Sequence, residues 1–239
     1  MVIRHSGKPR HFGLVAVIGA VTLFAALWAA DGRAADNLVK DYSVVDGDTL
    51  QIGNHVYNLY GIDAPELGQL CLQDGRWNHC GITAAFELKK LLEFDKPLRC
   101  EPAPANRRQI VCHAASVNVA LVLLKAGYAI AESGSDVAYR QAEHSAREGN
   151  LGLWHMSFVS PWDWRNGRRL PGADAAAETM GCPIRAIVDA EDQKIYYVPT
   201  DRDYKKISVD EAKGGRLFCS DVDARRAGWR RPGEAVKGR

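Results

Sequence analysis

The stretch from Tyr42 to Glu66 constrains this chain more than any other. Val44-Val45 leads into Asp46-Gly47-Asp48-Thr49, after which Leu50 and Ile52 alternate with polar neighbours. Gly53-Asn54 is a two-residue turn of the hairpin kind, and Val56, Tyr57 and Leu59 carry the return strand. Pro65 has no N–H to give to a ladder, so pairing is predicted to stop within Gly61-Ile62-Asp63-Ala64-Pro65-Glu66. A hairpin sets the beginning of one strand beside the end of its partner. Asp48 and Asp63 are therefore expected at one end of the sheet, with Glu66 close by. Oxygen donors gathered in this way suit a hard cation such as Ca²⁺ or Mg²⁺. Carboxylates at close range also repel unless a cation or a proton joins them. The competing reading is a plain turn at Asp46–Thr49 with a solvated Glu66.

The rest of the chain reads as helices and short strands. Ala84, Ala85, Leu88, Leu91 and Leu92 fall at helical spacing between Thr83 and Phe94. Leu98–Glu101 and Gln109–His113 look like strands on either side of a loop holding Pro102 and Pro104. A second helix is predicted from about Val117 to Ala126 with Gly127 as its C-terminal cap, and a third from Asp136 to Glu148. Leu151, Leu153 and Trp154 then return the chain to the core. The class is α+β: a small antiparallel barrel with about three packed helices. Residues 165–180 are polar and lack a hydrophobic period, so they read as a linker. Residues 181–232 read as a small β-rich C-terminal module, marginal in size for a core of its own.

The N-terminus points to export. Arg4, Lys8 and Arg10 precede an uncharged run from Phe12 to Ala30, and small residues follow at Gly32 and Ala34. The run is long for a signal peptide and just long enough for a membrane span. Residues 1–35 are thus read as a signal peptide or an N-terminal membrane anchor. All six cysteines lie beyond this run, an even number that argues for disulfides in an oxidising compartment. Proximity favours Cys71–Cys80 and Cys182–Cys219. A zinc site is the rival, since His79 adjoins Cys80 and His113 adjoins Cys112, but no close-spaced Cys-x-x-Cys pair is present. The formal charge is only +2. Any polyanion must therefore be met by a local arrangement of charge rather than by a whole-molecule field.

Val45-Asp46-Gly47-Asp48-Thr49-Leu50 followed by Gly61-Ile62-Asp63-Ala64-Pro65-Glu66 resembles the paired motif of staphylococcal nuclease-like domains (thermonucleases). Val119–Gly127 and Gly152-Leu153-Trp154 sit where that family has its second helix and its docking segment, so the resemblance runs from about Asp41 to Trp164. It implies a five-stranded OB-fold barrel over residues 38–164, a fold suited to single-stranded nucleic acid. It implies Ca²⁺ held by Asp48, Asp63 and the backbone carbonyl of Ala64, with Glu66 nearby as the general base that handles water. It assigns a phosphate-binding arginine to Arg108, with Arg107 as the alternative. The family's other arginine falls at Asn58, and its usual tyrosine falls at Ala131-Glu132. A neutral amide does not clamp phosphate as a guanidinium does, and loss of one such donor costs on the order of 10²–10³ in rate. Arg76 or Arg107 is a candidate to fill that gap.

The C-terminal residues Lys194–Pro199, Phe218-Cys219-Ser220 and Ala227-Gly228-Trp229-Arg230 resemble the small sunset domain of some exported nuclease homologues. The whole chain resembles nuclease-like proteins of the succinoglycan-biosynthesis type. Arg225, Arg226, Trp229, Arg230 and Arg231 form either a basic, stacking-capable patch or a solvated tail anchored by one tryptophan, and the tail is favoured. Trp162, Trp164 and Arg165 are expected to pack. The expected function is Ca²⁺-dependent hydrolysis of DNA or RNA, preferably single-stranded, by a monomer outside the cytoplasm, slowed by Asn58. The alternative is a catalytically weak protein that binds nucleic acid or anionic polysaccharide during envelope or exopolysaccharide assembly.

Overall fold

The hairpin forms in the expected register. In the computed structural model, which describes residues 37–93, 97–104 and 106–234, β1 (Leu38–Val39) and β2 (Tyr42–Val44) precede β3 (Thr49–Ile52) and β4 (His55–Leu59). β3 and β4 pair antiparallel from Thr49↔Asn58 to Ile52↔His55. β5 (Ile62–Asp63), just before Pro65, is only two residues long. The N-terminal segment read as a signal or anchor lies outside the described residues. Among the described residues no helix is long and apolar enough to cross a membrane.

A second hairpin follows, β6 (Leu70–Gln73) and β7 (Arg76–His79). It turns at Asp74-Gly75, where both φ angles are positive, 49° and 74°, as a tight hairpin turn requires. α1 (Cys80–Leu92) buries Ala84, Ala85, Leu88 and Leu92 on one face. β8 (Leu98–Pro102), β9 (Gln109–Ala114) and β10 (Val117–Asn118) come next. Asn118 caps α2 (Val119–Ala126) by accepting from Leu121 N–H at 3.0 Å. Gly127 closes α2 in the left-handed conformation at φ 75°. β11 (Ile130–Ala131) pairs with β5, and α3 (Val137–Glu148) packs beside α2.

The main sheet has seven strands in the order β1-β8-β9-β4-β3-β2, with β10 on β9. The expected all-antiparallel pairing is corrected at one place. β4 and β9 run parallel, because α1 and β8 intervene between them in the chain. Among the described residues no pairing joins β1 to β2 at the two ends of that order, so the sheet is not seen closed by a β1–β2 ladder.

Residues 165–180 are not a featureless linker. They include the end of α4 (Pro161–Arg165) and all of α5 (Ala173–Met180). Beyond them β12 (Ile184–Val188), β13 (Lys194–Tyr197) and β14 (Arg216–Phe218) make a three-stranded sheet, and α6 (Asp221–Arg226) follows. Ile184, Tyr196, Val198 and Trp229 belong to the same hydrophobic cluster as Val45, Leu50 and Leu88. A module this small gains its burial by sharing the larger core.

Three disulfides are present: Cys71–Cys80, Cys100–Cys112 and Cys182–Cys219. The zinc reading falls with them, since Cys80 and Cys112 are both bridged. Three disulfides are compatible with an oxidising, extracytoplasmic compartment.

Candidate functional site

The Asp46–Thr49 turn is held tightly against its surroundings. Val45 N–H donates to the Thr49 carbonyl at 2.8 Å, and Asp48 N–H to Asp46 Oδ1 at 3.1 Å. A β-carbon at Gly47 would lie 2.7 Å from that of Ala64 and 2.8 Å from that of Ala84. Glycine at 47 thus lets the turn touch both the segment after β5 and helix α1. Gly81 does the same at the start of α1, where a β-carbon would fall 1.8 Å from the Glu66 carbonyl oxygen. These two contacts bring Asp48, Asp63 and Glu66 together.

Asp48 is 7% exposed and its oxygens are engaged. Oδ2 accepts from Ala64 N–H at 2.6 Å, and Oδ1 from the Thr49 hydroxyl at 2.9 Å. Asn58 Nδ2 donates to Asp48 Oδ1 at 3.4 Å and to Thr49 Oγ1 at 3.2 Å. The surprise is Arg165. Its Nη1 donates to Asp63 Oδ1 at 2.9 Å and Glu66 Oε1 at 3.0 Å, and its Nη2 to Asp63 Oδ2 at 3.1 Å. Glu66 Oε2 is buried and has no hydrogen-bond partner among the described residues.

Burial dominates the electrostatics. Loss of water pushes the Asp46 carboxyl up to about 6, with help from the charge of Asp221. It pushes Glu66 up to about 8, aided by Asp46 and opposed by Arg165. Asp48 is also driven well above the usual carboxylate range, by burial and then by Asp46 and Asp63. One guanidinium is too little positive charge for this group of acids.

These residues line a cleft of about 610 Å³. Asn58 and Arg108 line it too, as the sequence implied, whereas Arg107 does not. Arg76 lines a separate hollow with Trp77 and Asn78, so it does not fill in for Asn58. Glu132, where a tyrosine was expected, reaches the cleft and accepts from Gln109 Nε2 at 3.2 Å. Burial raises its pKa as well.

Asp221, Arg225 and Glu234 of the C-terminal module also line the cleft. The arginine patch, the less favoured of the two readings, is dispersed. Trp229 is buried against Phe218, and Arg231 is 1% exposed and bound to Asp201. The favoured solvated tail is overturned with it, since this segment is built into the core.

A hard cation suits the donors by their chemistry, because they are all oxygens and Glu66 Oε2 has no partner. Arg165 already stands between Asp63 and Glu66 as the positive charge of the site. With the side chains so placed, no group of three or more His, Cys, Asp and Glu is arranged to hold a metal ion among the described residues.

Sequence reading named Arg165, Glu132 and Arg225 but did not bring them to this cleft. Each approaches from an element distant in sequence, and only Arg165 had a local cue. In the one-turn helix α4, Trp164 is buried while its neighbour Arg165 turns to the acids.

The fold and site thus define an acid-lined cleft on a mixed β-sheet, completed by a disulfide-tied C-terminal module. No family model matches the chain. Over 143 residues it is 34% identical to the succinoglycan biosynthesis protein ExoI of Rhizobium meliloti (strain 1021), a match covering 57% of this chain and 74% of that protein. The chain belongs to the family of that protein.

Proposed function

We propose that the cleft binds phosphodiesters of single-stranded DNA or RNA outside the cytoplasm and hydrolyses them with the help of Ca²⁺. The observation that carries this reading is Glu66, a buried carboxyl on the wall of the cleft, pushed by burial to about 8, whose Oε2 has no partner among the described residues. A carboxylate with a pKa near the working pH is a competent acceptor of a proton from attacking water.

The OB-type reading of the sheet has support in its ends. β1 and β2 are separated by Lys40 and Asp41 alone, so one short segment of chain pairs with β8 on one side and β3 on the other.

In this reading Asp48, Asp63 and the Ala64 carbonyl would hold Ca²⁺, with Glu66 nearby. When bound, Ca²⁺ supplies positive charge that polarises a phosphoryl oxygen. Arg165 would compete with Ca²⁺ for Asp63, since both oxygens of that carboxylate accept from its guanidinium. Arg108 meets the phosphate from the opposite charge class, and Glu66 takes the proton from water.

A second reading has its own observation. Arg165 neutralises the acids without a metal and Asn58 is tied to Asp48, an arrangement suited to a binding protein in exopolysaccharide assembly. The name of the relative accords with that reading.

Digestion of single-stranded DNA by the purified protein, with Ca²⁺ and with chelator, separates the two. Cleavage only with Ca²⁺ is expected, and its absence hands the site to the binding reading.

A further inference from the structure

The cleft is rich in carboxylates, yet a phosphodiester brings a further negative charge. Cationic donors on its wall therefore decide whether such a ligand is held at all. Three arginines line it: Arg108, Arg165 and Arg225. Arg165 is committed to Asp63 and Glu66. Arg225 is held but not used up.

Its Nε donates to Asp221 Oδ2 at 2.7 Å and its Nη1 to Glu234 Oε1 at 2.6 Å. Its Nη2 is buried and has no acceptor among the described residues. An orphaned charged donor is costly in a folded protein, and such groups are tolerated where they serve a ligand. The two carboxylates fix the guanidinium in one orientation, which leaves its third edge preorganised.

The module that carries Arg225 is also fixed beside the acids. Gly68 N–H donates to the Cys219 carbonyl at 2.7 Å, and a β-carbon at Gly68 would lie 2.6 Å from that of Cys219. Cys219 is in turn bridged to Cys182. The chain just after Glu66 and the chain just before α6 are thus in backbone contact.

We propose that Arg225 contacts the phosphate of a phosphodiester bound in the cleft, so that the C-terminal module forms part of the substrate site. This rests on the reading of the cleft as a phosphodiester site.

The test is fluorescence anisotropy with a labelled short oligothymidylate, in Ca²⁺, on the full chain carrying Glu66→Gln to prevent cleavage. Arg225→Met should weaken binding about tenfold and lower the slope of log Kd against log salt by about one. Arg226→Met should change neither, because Arg226 pairs with Asp223 at the exposed surface. Should Arg225→Met fail to melt cooperatively, Arg225→Gln, which still offers a donor to Asp221, replaces it under the same criteria.

If Arg108→Met weakens binding and a folded Arg225 variant leaves affinity and salt slope unchanged, the assignment of Arg225 is wrong and the cleft reading stands. If the parent chain binds no oligothymidylate but binds a carboxylated polysaccharide, the cleft reading is wrong and this assignment falls with it.

Discussion

Two buried charge clusters touch strand β3, and they are built on opposite plans. At Gln51, Arg231 is fully satisfied: Nε meets Gln51 Oε1 at 3.2 Å, Nη1 and Nη2 each meet Asp201 at 2.5 Å, and Nη2 reaches Ser43 at 3.3 Å. One cation faces one anion. At Asp48 and Thr49, by contrast, Asp46, Asp48, Asp63 and Glu66 crowd one another, Arg165 reaches only Asp63 and Glu66, and Glu66 Oε2 is left without a partner among the described residues. The first cluster joins the C-terminal module to the sheet. The second has the imbalance of a site that awaits a ligand.

Breaking the balanced cluster should give the largest effect. Arg231→Met leaves Asp201, whose side chain is only 11% exposed, without its counter-charge, which costs about 3–5 kcal/mol of stability. Chemical denaturation measures it, and a loss under about 1 kcal/mol would erase the contrast between the clusters.

Arg165→Met should instead trade stability for cation binding. The apo protein is expected to melt lower, because Asp63 and Glu66 lose their counter-charge. Calorimetric Ca²⁺ affinity should rise about tenfold, equivalent to roughly 1.4 kcal/mol. Unchanged affinity would show that Arg165 and Ca²⁺ do not compete.

The pH dependence sharpens the comparison further. Asp46 and Glu66 have folded pKa values of about 6 and about 8, above the ordinary carboxylate range near 4. The folded state therefore holds protons that the unfolded chain has released. Stability is fullest below about pH 4 and is lost as pH rises through the folded values, over roughly pH 4–8. Melts in chelator should fall across that window and flatten in saturating Ca²⁺. A rising curve in chelator would contradict the crowded-acid account.

The smallest effect is expected at Asn58. An arginine there faces the cleft, but it loses the Asn58 contacts to Asp48 and Thr49 and enters a wall that already holds Arg225. Asn58→Arg should raise kcat on single-stranded DNA by less than tenfold, and a fall below the parent would mean that Asn58 positions Asp48.

The hairpin and its acids were legible because strand alternation and turn chemistry are local, and the motif spacing is specific. Helices α1, α2 and α3 were legible for the same reason, down to the cap at Gly127, whereas the short α4, α5 and α6 were not. The hairpin at Asp74-Gly75 was missed although its turn signal is plain, because Leu70 and Leu72 give too short an alternation to stand out. Arg165, Arg225 and Arg231 were beyond local reading. They look alike in a polar sequence, and only tertiary packing sends one to Asp63, one to Asp221 and one to Asp201. The shared core of the C-terminal module was hidden likewise, since its strands match any half-buried sheet.

The central claim is that the unbalanced cluster is a cation-dependent phosphodiester site. Its most direct test is the rate of single-stranded DNA cleavage by the purified chain and by Glu66→Gln, each in Ca²⁺ and in chelator. Cleavage by the parent in Ca²⁺, reduced at least about 10²-fold both in chelator and in Glu66→Gln, is the expected result. Cleavage that survives either change, or none in the parent, would contradict the claim.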